Sequence, residues 1–88
     1  MENEINQVVV DLGLKAKRVQ ENQDLKDVLE HIYADLFKQF RKSNIRNMEE
    51  REDLHKLAYA VEYLEHKIAK YIEAGEHEIK TKTEVDDD

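Results

Sequence analysis

The sequence predicts an all-α protein: an antiparallel helical hairpin with an additional N-terminal helical segment, completing a helical bundle by dimerisation. Three observations carry this expectation. Leu54, Leu57, Val61, Leu64, Ile68 and Tyr71 recur at alternating steps of three and four, the spacing that keeps side chains on one helix face. Pro is absent and Gly occurs twice, at Gly13 and Gly75, so little interrupts a helix. The charged fraction of 40% suits solvated helices better than a turn-rich β-fold.

Taken in chain order, Ile5, Val8, Val9, Leu12, Ala16 and Val19 keep helical spacing. Val8-Val9-Val10 also fits a strand, but a lone strand has no sheet to join. Gly13 argues against one continuous helix there, leaving residues 3–20 as a helix, a swapped arm or a loose segment. Leu25, Val28, Leu29, Ile32, Tyr33, Leu36, Phe37 and Phe40 form the next helical pattern, with Asn22 or Asp24 as its cap. Ser43-Asn44-Ile45-Arg46 is a short connection of the kind that joins antiparallel neighbours. Asn47 and Glu50 then form a capping box, each side chain bonding the other's backbone N–H. Glu49, Glu50 and Glu52 complement the positive end of the helix dipole. The long helix is expected from Met48 to Ala74, about 40 Å, with Gly75 as its C′ residue. The expected domain covers residues 1–80, and Thr81–Asp88 reads as a disordered acidic tail.

Folding the two helices about residue 45 sets Phe40 near Met48–Glu50, Ile32 near Ala58 and Leu25 near Glu65. The far end of the long helix, Ile68 to Ile72, is then uncovered. Either the N-terminal segment or a second subunit covers it. A domain of 88 residues buries a modest core, and without Cys no disulfide reinforces it. A homodimer is therefore expected. The residues expected to carry self-association are Leu29, Ile32 and Leu36, then Leu57, Val61, Leu64 and Ile68, with Tyr59 and Tyr63 at the edge of the seam.

Chemistry is sparse. Ser43, Thr81 and Thr83 lie in the connection and the tail, and no Gly-rich phosphate loop occurs. His55, His66 and His77 recur every 11 residues, which separates them by about 16 Å along a helix, too far to share a metal within one chain. Glu52-x-x-His55 matches half of the di-iron motif of ferritin-like bundles. In the hairpin register, however, Glu52 faces Lys38 and His55 faces Asp35. A di-metal site using Glu52, His55 and either Asp35 or Glu62 is the second alternative reading. The expectation is a protein that is not an enzyme and takes no cofactor.

Charge adds one feature. Against a net charge of −7, Lys38, Arg41, Lys42 and Arg46 fall together at the hairpin tip, and Lys15, Lys17 and Arg18 form a second basic knot. Cations in the last turn of a helix offset its dipole. The same tip can also contact phosphates or an acidic partner, so a DNA-binding accessory such as a small packaging subunit is the first alternative. Nucleic acid is not the favoured partner, because an acidic protein is repelled by a polyanion at long range. No stretch has the apolar length to span a bilayer, and Met1–Gln7 lacks a basic leader region, so a cytoplasmic protein is expected.

Ala16, Asn22, Leu25, Leu29, Phe40, Ser43, Arg51-Glu52, Leu57, Leu64, Ile68 and Gly75 together resemble a pattern found in short helical-hairpin proteins of tailed phages and prophages. The resemblance covers about residues 16–76. It implies a helical hairpin and a phage or prophage origin, in the cytoplasm of the host cell. It implies no agreed activity and no catalytic residue. The expected function is that of an interaction protein, which self-associates and docks a virion, packaging or host protein.

Overall fold

The structure, a computed structural model, describes residues 4–85, which form three helices. They are α1 (Gln7–Glu21), α2 (Gln23–Lys42) and α3 (Met48–Val85). Among the described residues no helix is long and apolar enough to cross a membrane. The chain divides into two compact units. Asn22–Glu65 forms a central unit, and Met1–Glu21 with His66–Asp88 forms a terminal unit. Long α3 contributes its first part to one and its last part to the other.

In the terminal unit, the triple valine is helical rather than extended. Asn6 starts α1: its side chain accepts a bond from the Val9 N–H at 3.4 Å, and its carbonyl accepts from Val10 N–H at 3.2 Å. The Asn6 N–H itself donates to Glu78 Oε1 on α3 at 2.9 Å. Val10, Gly13 and Ala16 are buried, one helical turn apart, on the face that meets α3. Gly13 therefore does not break α1.

Gly75 corrects a second expectation. It is not a C′ residue, because α3 runs through it to Val85, and neither glycine has positive φ. Both glycines serve a close approach of backbones. A Cβ on Gly13 would lie 2.9 Å from the Tyr71 carbonyl oxygen and 3.1 Å from Gly75 Cα. A Cβ on Gly75 would lie 3.2 Å from Gly13 Cα and 3.4 Å from the Val9 carbonyl oxygen. The α1 helix thus approaches α3 between Tyr71 and Gly75, which overlaps the end of the Ile68–Ile72 stretch that a two-helix arrangement leaves open. The expected tail from Thr81 is helical as far as Val85, and residues 86–88 lie outside the described residues.

In the central unit, Asn22 caps α2 by accepting from the Leu25 N–H at 3.0 Å, which decides between Asn22 and Asp24. Asn47 caps α3 by accepting from the Glu50 N–H at 3.0 Å. The reciprocal half of the expected capping box takes another form. The Asn47 backbone N–H donates to the Asn44 carbonyl at 2.8 Å, closing the connecting turn, so Glu50 instead accepts from the Asn47 side-chain amide at 3.2 Å.

Candidate interaction surfaces

The central unit is held by contacts that step in opposite directions along α2 and α3. Phe40 lies under the Arg51 guanidinium, 4.4 Å from ring centroid to Cζ, and Tyr33 donates its hydroxyl proton to Glu65 Oε1 at 2.5 Å. Leu54 faces α2, and among the described residues of this unit it alone is buried. Leu29, Leu36, Ala58 and Val61 are half-buried along the same seam.

Arg51 joins the two helices through its side chain. Its Nε donates to Ser43 Oγ at 3.0 Å, while Ser43 Oγ donates to the Phe40 carbonyl at 2.6 Å. The Ser43 N–H also donates to the carbonyls of Gln39 and Phe40 at 3.0 and 3.2 Å. One arginine thus caps the aromatic ring and binds the hydroxyl that terminates α2, pinning the end of α2 to the first turn of α3. Phe40, Ser43 and Arg51 thus converge at this joint.

The basic tip is only partly what the sequence arranged. Lys38, Arg41 and Lys42 occupy the end of α2 and Arg46 lies in the turn, all exposed. Arg41 lies over Phe37 at 5.9 Å, an arrangement that leaves the ring 64% exposed. At the same end, Glu49, Glu50 and Asp53 line a recess with Gln39 and Asn47. Both signs of charge therefore occur there.

Two different flanks border the α2–α3 seam. Phe37 of α2 and His55 and Glu62 of α3 open onto a groove of about 470 Å³, floored by Leu36, Leu54 and Ala58. Helical rotation places Leu57 and Leu64 about a sixth of a turn from Leu54 and Val61 in the other sense. They lie on the opposite flank with Val28 and Ile32 of α2. These four aliphatic side chains are 53%, 51%, 54% and 37% exposed. Of the other residues expected in self-association, Tyr59 and Tyr63 are 65% and 56% exposed. Their helical positions put them on the side of α3 away from α2, not beside the seam. Ile68 is half-buried within the terminal unit.

His55 and Glu62 share the groove, but Glu52 and Asp35 do not line it. Among the described residues no three His, Asp or Glu side chains are grouped so as to hold a metal ion.

The Tyr33–Glu65 bond was not foreseen, because the register about residue 45 sets Leu25 beside Glu65. A tyrosine hydroxyl stands far from its Cα and reaches further along the partner helix than an aliphatic seam residue. The accepted hydrogen bond at Glu65 pushes the Tyr33 phenol up to about 12 from 10.0, with smaller contributions from burial and the charges of Glu65 and Glu62. A folded-state value above the unfolded one stabilises the protonated phenol. The contribution is complete below pH 10 and is lost as the pH rises through about 12. Tyr33→Phe is expected to lower the melting temperature slightly at pH 8. The gap between variant and wild type is expected to close between pH 10 and 12, and a constant gap across that window would rule out this bond as its source.

No protein-family model matches the chain, and neither does any curated protein or solved structure.

Proposed function

We propose that this chain is a non-enzymatic helical interaction protein that self-associates and then docks a protein partner. One observation carries this reading. The central unit buries a single side chain, Leu54, while Val28, Ile32, Leu57 and Leu64 are exposed on one flank. Two helices cannot enclose a core between them, whereas two such pairs make a four-helix bundle with an interior. Reading α2 and α3 as a helical hairpin is supported by the opposite stepping of the Phe40–Arg51 and Tyr33–Glu65 contacts.

The setting is that of a phage or prophage, in the host cytoplasm, with a virion, packaging or host protein as the eventual partner. The sequence pattern supports this. Three of its members, Phe40, Ser43 and Arg51, cooperate at one joint, which gives their joint presence a structural reason.

Solution mass by light scattering behind size exclusion tests the reading. A dimer at micromolar concentration is expected for the wild type. Leu64→Ala is expected to lower both the dimer fraction and the melting temperature, because it removes part of an interface rather than part of a solvated surface. A monomer at every concentration, or a variant indistinguishable from wild type in both readouts, would overturn it.

A further inference from the structure

We propose that the flank bearing Val28, Ile32, Leu57 and Leu64 receives the same flank of a second copy, seated head to tail so that the two α2–α3 connections lie at opposite ends. This inference rests on the self-association reading above and assigns it a face and an orientation.

The two flanks of the central unit differ in what they offer. On the groove side, the aromatic rings are interrupted by His55 and Glu62, and Phe37, although 64% exposed, has the Arg41 guanidinium 5.9 Å from its ring centroid. A copy seated there would have to desolvate a carboxylate and an imidazole with no partner provided for either. On the other side, the four aliphatic side chains share a stretch of about two helical turns. Leu57 and Leu64 are seven residues apart on α3, and Val28 and Ile32 are one turn apart on α2. Half-exposed as they are, they present about 300–400 Å² of aliphatic surface, as large as the largest patch on an ordinary monomer. That is about half of the 800 Å² that a standard interface takes from each partner, concentrated at its centre. The half-buried Leu29 and Val61 lie directly beneath and continue the apolar surface inward.

The carboxylates of α3 bear on the orientation, with exposed Lys42 and Arg46 at the same end. The same flank ends, at the connection, in the recess lined by Glu49, Glu50 and Asp53. Seated in parallel, two copies would bring these carboxylates face to face, and like charges opposed across an interface are destabilising. Seated head to tail, each recess lies beyond the partner's aliphatic centre. The two-fold axis then passes midway between Leu57 and Leu64. Asp53 and its symmetry mate are separated along the helices by roughly 15 residues, or about 22 Å.

Two measurements test this. The first is the dimer dissociation constant of full-length variants by sedimentation equilibrium, with helicity checked by circular dichroism. Leu57→Glu and Leu64→Glu are each expected to weaken the dimer at least about 30-fold. Phe37→Glu, on the groove side, is expected to leave it within about threefold. If Phe37→Glu dissociates the dimer and the leucine variants do not, the assigned face is wrong while self-association stands. If the wild type never dimerises, both fall. The second measurement needs no destabilising change. The chain has no native cysteine, so Asp53→Cys carries a single spin label, whose inter-label distance is read by pulsed electron resonance. A distance beyond about 20 Å is expected from the head-to-tail seat. A distance near the helix–helix spacing of about 10 Å would show a parallel seat and overturn the orientation.

Discussion

Leu54→Ala is expected to destabilise the protein by about 2–5 kcal/mol, toward the lower end of that range. Leu54 is the side chain around which the central unit closes, 9% exposed where Leu57 and Leu64 on the same helix are 53% and 51% exposed. Removing it takes away its own transfer free energy and leaves a void between α3 and the Leu36 and Phe40 side chains that share its site. The open groove alongside lets those neighbours relax inward, which moderates the cost. A domain of this size is held together by a net 5–15 kcal/mol at most, so the loss is a large share of the total. Urea unfolding followed by circular dichroism measures it. A loss below about 1 kcal/mol would show that the unit is not organised around this residue.

Gly13→Ala is expected to destabilise by about 1–3 kcal/mol. The sign opposes helix propensity, by which the same exchange stabilises an isolated helix by up to about 1 kcal/mol. The added methyl would lie 2.9 Å from the backbone oxygen of Tyr71, and backbone cannot step aside as a flexible side chain can. The α1 helix must then lift off α3, loosening Val10 and Ala16, which are 7% and 6% exposed. Gly75→Ala meets Gly13 Cα at 3.2 Å and is expected to cost less. An unchanged or raised unfolding midpoint for Gly13→Ala would mean that the two helices do not approach as closely as described.

The two glycines mark where reading by sequence stops. Gly75 follows an amphipathic run and precedes a polar stretch, which is the setting of a helix-ending glycine. Its role depends instead on a residue 62 positions earlier, and no local pattern reports that Gly13 lies against it. The caps behave differently. Asn22 and Asn47 each bond the N–H three residues on, an interaction contained within one turn, so residue type and spacing find Asn47 and narrow the α2 cap to Asn22 or Asp24. Arg51 falls between these cases. Its position in the first turn of α3 was evident, but its two partners, Phe40 and Ser43, are brought to it only by closure of the connection.

By itself, then, the sequence determined that the protein is all-α, where α3 begins, and which residues form the apolar stripe. All of these follow from interactions within one turn or from helical period. The tertiary structure decided the rest. It carried α3 ten residues past Gly75, to Val85. It placed α1 against the later part of α3, and bonded Tyr33 to Glu65 across 32 positions. It also sorted the stripe into a seam around Leu54 and Val61 and an exposed flank at Leu57 and Leu64. The physical reason is one of range. Helical period states that side chains share a face, but only the approach of a second helix decides which part of that face is covered and which is left to meet something else.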